Sequence, residues 1–275
     1  MYANLGFVFD SSLSFSQQIS KLSSFCHYHI RDVRCIRNSL DHNTAAIFAT
    51  SLVHVCFDYC NSIYYSLLAS QLHRLQLIQN PLARAVSRTS LHSPISPVLH
   101  SLHWLKIEQL IQNKIISITH NLLHSVTPSY LFRLLNMQPT RPTRSSNCLC
   151  LAHPKLTSRL KFFDRSFRNA APSLWNKLPT TLRSLSTEAT HANPVPFPPL
   201  ALSHKQFLKH LKTHLFTLSF LPGLLLSLLP FTFSTSHCSF LVILLSAREY
   251  ASISWFCGHY NLLLSIIYLS IYVTI

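Results

Sequence analysis

Acidic residues and glycine are both scarce in this 275-residue sequence: Asp and Glu together number 8, and Gly numbers 3. Ordinary usage would make glycine about 7% of the chain. The shortage excludes sites built on glycine turns: a P-loop, a dinucleotide-binding turn, or a β-sandwich with many tight hairpins. The shortage of carboxylates excludes a carboxylate-rich metal site and a glycosidase acid pair. No Gly-x-Ser-x-Gly elbow marks a hydrolase nucleophile. No Asp-Asp dipeptide is present, and Asp10, Asp32, Asp41 and Asp58 stand alone. Met1-Tyr2-Ala3-Asn4 has no charged start followed by an apolar run, so no secretory signal is expected. The chain has no internal repeat.

What is present divides into two halves. Lys and Arg number 23, for a net charge of +15 with histidine neutral. Residues 1–213 carry 22 of those 23 cations and seven of the eight acids, whereas Arg248 and Glu249 are the only formal charges after Leu215. The first half reads as a basic soluble domain and the second as an apolar tail. The eight cysteines are scattered, which fits reduced thiols of an intracellular protein better than a disulfide scaffold.

Periodicity predicts a mainly α fold. Asn4 to Asp10 reads as one short N-terminal strand with its exit turn, orphaned or weakly paired. Phe15, Ile19, Leu22, Cys26, Ile30, Val33, Ile36 and Leu40 then recur at three- and four-residue steps, an apolar stripe of one helix. Asp41 caps a second helix to about Phe57, and Asp58-Tyr-Cys-Asn61 interrupts it. A third helix from about Ser70 puts Leu72, Leu75, Ile78, Leu82 and Val86 on one face, with Pro81 expected to kink it. A fourth follows Trp104, with Ile107, Ile111, Ile115, Ile118 and Leu122, and ends at Pro128. The stripes are expected to pack near Phe25, Leu52, Leu75 and Ile115. Residues 136–190 read as an irregular basic segment with interleaved Phe162, Phe163, Phe167 and Trp175, and 191–202 as a Pro-rich linker. A basic helix spans 203–220, and the tail after Leu215 is expected to be helical without packing into the core.

Chemistry-bearing constellations are few. Cys26, His27, His29 and Cys35 cluster, as do Cys56/Cys60 and Cys148/Cys150, but none has structural-zinc spacing, so no metal site and no cofactor are assigned. Arg31 and Arg34 lie opposite the first apolar stripe. Arg74, Arg84 and Arg88 lie opposite that of the third helix. Arg159, Lys161, Arg165 and Arg168 punctuate the basic segment. Cations repeated across several elements are the footprint of a phosphate-backbone binder, with nucleic acid as the partner, bound weakly and without base readout. Oligomeric state is not readable.

Particular strings carry a resemblance. They are Asn4-Leu-Gly-Phe-Val-Phe-Asp-Ser-Ser-Leu-Ser-Phe15, Cys35-Ile-Arg37, Asp58-Tyr-Cys-Asn-Ser62, Arg74-Leu-Gln-Leu-Ile-Gln-Asn80 and Pro97-Val-Leu-His-Ser-Leu-His-Trp-Leu105, followed by Pro128-Ser-Tyr-Leu131, Asp164-Arg-Ser-Phe167, Ala171-Pro-Ser-Leu-Trp-Asn-Lys-Leu-Pro179 and Leu211-Lys-Thr-His-Leu-Phe216. In order and spacing, over about residues 3 to 220, they resemble the C-terminal part of the reverse transcriptase of non-LTR (LINE) retrotransposons, in the jockey and chicken-repeat group. The resemblance implies that 1–12 is the remnant of a palm edge strand near the primer-gripping hairpin. It implies that 13–135 is a thumb-like helical region tracking template-primer duplex, and that the Trp-Asn-Lys-Leu-Pro region belongs to the segment after the thumb. The family's fingers, catalytic palm aspartates and endonuclease lie upstream of the matched stretch. The chain is therefore expected to be a fragment of an RNA-directed DNA polymerase without its active site, and not an enzyme. The sequence departs from the family where Cys56 replaces a basic residue, Ser66 a glycine and Pro81 a helix former.

The tail supports an alternative. Leu215 to Ser246 is 32 residues without Lys, Arg, Asp or Glu, and Tyr250 to Ile275 is 26 more. Either exceeds the roughly 20 residues of a membrane span, although Pro222, Pro230 and the polar run from Ser234 to Ser239 break the first. On this reading, residues 216–275 give a basic cytosolic α domain one or two C-terminal transmembrane segments. Otherwise 221–275 is what T- and C-rich untranslated DNA encodes when read as protein.

Overall fold

The computed structural model describes residues 2–4, 6–138, 148–154, 161–186 and 200–224, and the packing below lies in the unit formed by residues 1–3 and 7–220. It is mainly helical, as the periodicity predicts. Strands β1 (Tyr2–Asn4) and β2 (Phe7–Phe9) pair in a two-stranded sheet. The sheet is anchored, because the buried Phe7 ring lies 5.6 Å from that of Phe15 and 6.0 Å from that of Tyr64.

Asp10 organises the turn into α1 (Ser16–Ile36) by accepting from the Ser14 and Phe15 backbone N–H groups at 3.1 and 2.9 Å. Along α1 the buried side chains include Ile19, Leu22, Cys26, Ile30 and Val33, the predicted stripe. Phe25, expected in the core, is 51% exposed, because it lies about 100° around the helix from Cys26. Asp41 caps α2 (His42–Ala49) by accepting from the N–H groups of Asn43 and Thr44. A π-helical turn, Thr50–His54, joins α2 to α3 (Val55–Asp58). Cys60, in the left-handed region, then redirects the chain.

Helix α4 (Ala69–Ser87) packs on α1, burying Leu75, Ile78, Leu82 and Val86. Pro81 lies inside it. Having no N–H, it cannot donate to the carbonyl of Leu77, a residue that is exposed. A short helix α5 (Ile95–Ser101) leads to α6 (Ile107–Ser125). No side chain of its own caps α6. Gln76, from α4, accepts from Ile107 N at 3.0 Å, and the buried Gln79 donates to Leu105 O at 2.8 Å. Helix α7 (Ser129–Phe132) follows Pro128.

The segment expected to be irregular contains an ordered core helix, α8 (Phe167–Trp175), packed on α6. Pro172 disguises it in the sequence, yet Phe167, Ala170, Ala171, Leu174 and Trp175 keep the helical spacing and are all buried. Trp175 Nε1 donates to Leu149 O at 3.0 Å, and the Asn176 side chain both donates to Leu151 O and accepts from Leu151 N. Phe167 and Trp175 thus belong to the core, not to an aromatic binding surface.

Helix α9 (His204–Leu224) closes the unit. Its side chains Phe207, Leu211 and Leu215 are buried, and so are Ser219 and Phe220. The expectation that nothing after Leu215 joins the core is therefore corrected as far as Phe220. The helix keeps its inward stripe there, and the Phe216 and Phe220 rings lie 5.0 and 5.3 Å from His100. Each fully buried large apolar side chain contributes about 1.5–3 kcal/mol. Among the described residues no helix is long and apolar enough to cross a membrane. Of residues 216–275, on which the spanning reading rests, 225–275 lie outside them.

Candidate nucleic-acid interface

With so few carboxylates in the chain, the arginines find other acceptors. Arg74 donates to Ser20 Oγ at 2.9 Å and Gln71 Oε1 at 3.0 Å, fastening α4 to α1. Arg84 donates to Ser90 O at 3.2 Å and Ser93 O at 2.7 Å, folding back the loop after α4. Arg88 donates to Arg37 O at 3.0 Å. Arg165 donates to Leu13 O at 2.7 Å, holding the turn before α1. Burial lowers its pKa, and the Asp10 carboxylate opposes that.

Two arginines outside the expected set are buried by the same device. Arg37 donates to Val86 O and to Leu40 O, both at 2.7 Å, and Arg183 donates to Leu178 O at 2.9 Å. A guanidinium carries five donors in a fixed fork, which suits it to collecting carbonyls at helix ends.

The seven expected cations whose side chains are described therefore differ in their surroundings. Arg31, Arg34, Arg88 and Arg168 are exposed, Arg88 while also donating to the end of α1. Arg74, Arg84, Arg88 and Arg165 are committed to the fold. Arg159 and the Lys161 side chain lie outside the described residues. Sequence spacing placed Arg74 and Arg84 away from the apolar stripe correctly, but a helical wheel cannot show that a neighbouring helix or loop offers acceptors there. Exposed cations outside the nine expected ones are Lys21, Arg133, Lys177, Lys205, Lys209 and Lys212. Two ion pairs form among the described residues, His29–Asp32 at 3.6 Å and Lys114–Asp58 at 3.2 Å.

The outer face of α1 carries more than charge. Tyr28 is 65% exposed beside Phe25, and the His29 ring stands edge-on to both, with centroids 4.5 Å from Phe25 and 5.4 Å from Tyr28. The signal was available in the sequence: Phe25 and Tyr28 are three apart and both fall outside the Ile19–Leu22–Cys26–Ile30–Val33 spacing.

The remaining titratable groups are built into the fold. Burial works against the charge of Asp10, but hydrogen bonds from Ser14, Phe15 and Ser12 outweigh it and hold its carboxyl at about 2. The Cys26 thiol is raised by its hydrogen bond with Cys56 and by burial, which keeps it protonated. His54 lies with its ring 4.3 Å from that of Trp104, and its Nε2 is buried. Burial lowers its pKa to about 4. His120 is fully buried, stacks on Phe207 at 3.9 Å and faces His204 with the two Nδ1 atoms 3.0 Å apart. Burial, then His204 and His124, lower its pKa to about 3. Among the described residues no group of three or more His, Cys, Asp or Glu side chains is placed to hold a metal ion.

A cleft of about 400 Å³ opens beside α6, α8 and α9, lined by Leu67, Leu178 and Leu215 together with Tyr65, Glu108 and Lys177. None of the seven expected cations whose side chains are described lines it. Comparison of the chain with protein-family models, curated proteins and solved structures finds no match.

Proposed function

We propose that this chain is a nucleic-acid-holding helical module of the polymerase-thumb type. It binds the phosphate backbone without sequence preference and performs no chemistry of its own. The observation that carries this reading is the imbalance at the surface. Lys21, Arg31, Arg34, Arg133, Arg168, Lys177, Lys205 and Lys209 are exposed, in a chain with 23 Lys and Arg against 8 Asp and Glu. Such an excess attracts a polyanion and gains affinity from counterion release. The ordered strings that resemble the non-LTR reverse transcriptases supply the thumb assignment. Their polar members, among them Gln76, Gln79 and Asn176, hold helix junctions, as a scaffold requires.

The test is fluorescence anisotropy of the full chain with a labelled 20-bp duplex of arbitrary sequence, titrated between 50 and 200 mM salt. Binding should weaken steeply and equally for unrelated sequences. Changing Arg31, Arg34 and Arg168 to Gln should flatten the logarithmic salt slope by about 0.9 for each phosphate no longer neutralised. Changing Arg74 and Arg84 should alter stability and move the slope far less. Absence of binding at 50 mM, or an unchanged slope in the triple variant, overturns the reading. On a primed template the chain should incorporate no nucleotide, and incorporation above a buffer control would overturn the non-catalytic part.

A further inference from the structure

The outer face of α1 combines two features in one row. Lys21, Phe25, Tyr28 and Arg31 follow one another at steps of four, three and three residues, on the side away from the buried stripe. The group extends about 15 Å along the helix axis. Its two aromatic rings are 51% and 65% exposed, and both make edge contacts with His29. Asp32 is the one carboxylate on α1, and it lies 3.6 Å from His29 Nδ1.

We infer that this face binds single-stranded nucleic acid, with unpaired bases stacking on Phe25 and Tyr28 while Lys21 and Arg31 meet the adjoining phosphates. The inference rests on the nucleic-acid reading above and adds to it, since backbone charge alone would favour a duplex. Exposed aromatic rings between cations suit a strand whose bases are splayed. Every base has a π face, so such contacts are strong without being sequence-specific. In a duplex the base faces are covered by their neighbours and the rings would find nothing to stack on. The excess of cations over acid along the row selects a polyanion over an apolar protein surface.

The experiment compares a fluorescein-labelled twelve-nucleotide oligo(dT) with a 12-bp duplex, using the full chain and the double variant Phe25→Leu/Tyr28→Leu. Both side chains are exposed, so the variant should keep the wild-type urea midpoint, which is checked first. Affinity for oligo(dT) should fall at least tenfold, affinity for the duplex should change less than twofold, and the salt slope should be unchanged. Photocrosslinking the wild type to the same oligomer bearing 5-iodouracil should label the tryptic peptide Leu22–Arg31. Sedimentation at rising protein concentration is run alongside. Equal losses for strand and duplex, or crosslinks confined to other peptides, would overturn the inference and leave the general reading standing. A wild-type dimer dissolved by the double variant, with strand binding unaffected, would also overturn it and assign the face to self-association. No binding to either probe would overturn both readings.

Discussion

Acidification from pH 7.5 to 5 should destabilise this protein through its buried histidines. An unfolded histidine titrates near 6.5. His54 and His120 are held neutral in the fold, with values of about 4 and about 3. Between those values and 6.5 the unfolded chain binds protons that the folded chain refuses. Stability therefore falls as pH falls, beginning near 6.5 and continuing to about 4. Each group loses about 1.4 kcal/mol per pH unit inside that window, or about 2 kcal/mol over the interval, so the pair loses about 4 kcal/mol at most. Asp10 moves nothing in this range: its carboxyl, held at about 2, contributes stability above 3.8 that is lost only below it. With a urea dependence of about 2 kcal/mol per molar, the midpoint should drop by about 2 M. The assay is urea unfolding under reducing conditions, followed by tryptophan fluorescence, at pH 7.5, 6 and 5. The double variant His54→Gln/His120→Gln should be less stable at pH 7.5 but lose less on acidification than the wild type, the remainder coming from His103, His204 and His214, whose values burial also lowers. A wild-type midpoint that stays constant from pH 7.5 to 5, or a double variant that drops as far as the wild type, would refute the reasoning.

Trp175→Ala removes a fully buried ring and the donor to Leu149 O, and should cost about 3–5 kcal/mol, read as a lower urea midpoint. Arg37→Leu should cost about 1–3 kcal/mol by leaving Val86 O and Leu40 O without their donor, whereas Arg31→Leu, on an exposed side chain, should change stability by less than about 0.5 kcal/mol; equal effects would contradict the division between fold and surface arginines. Ser66→Gly should raise stability by about 1 kcal/mol, because Ser66 is exposed with φ +56, a conformation that costs a non-glycine residue about 1–2 kcal/mol. If residues 225–275 enter a bilayer, the full chain in cells should resist carbonate extraction and a chain ending at Leu224 should not; the cut must follow Phe220, which lies in the core.

Much of the helical scaffold was legible because its cause is periodic. The stripe from Ile19 to Val33, the Asp41 cap and the break at Asp58–Asn61 all follow from side-chain spacing and local hydrogen bonding. Helix α8 was obscured because Pro172 interrupts the residue types that signal a helix without interrupting the spacing of its buried face. The inward continuation of α9 was missed because uniform hydrophobicity hides which side faces the core, and burial of Ser219 and Phe220 is a tertiary fact. The interface was legible in charge but not in membership. Sequence shows that Arg74, Arg84 and Arg88 leave the apolar stripe. Only the fold shows that Ser20, Ser93 and Arg37 supply their acceptors.

Both scarcities with which the sequence began leave marks on the fold. With three glycines in the chain, the left-handed positions are taken by Leu13, Phe15, Cys60, Ser66, Arg88, His103 and Val126. Several of them stand at helix boundaries: Phe15 precedes α1, Arg88 ends α4 and Val126 ends α6. Each departs from the ordinary preference for glycine there, so the chain holds local strain that its core must offset. With eight acids, the arginines that build the fold use carbonyls and hydroxyls as acceptors. That substitution has a functional consequence. An arginine paired with a carboxylate is neutralised, but one bonded to a carbonyl keeps its full charge. Arg74, Arg84 and Arg88 therefore add to the positive field of the folded unit without touching a ligand. Replacing a structural arginine should weaken long-range attraction for a polyanion even where it leaves the direct phosphate partners intact, an effect that 200 mM salt would largely screen.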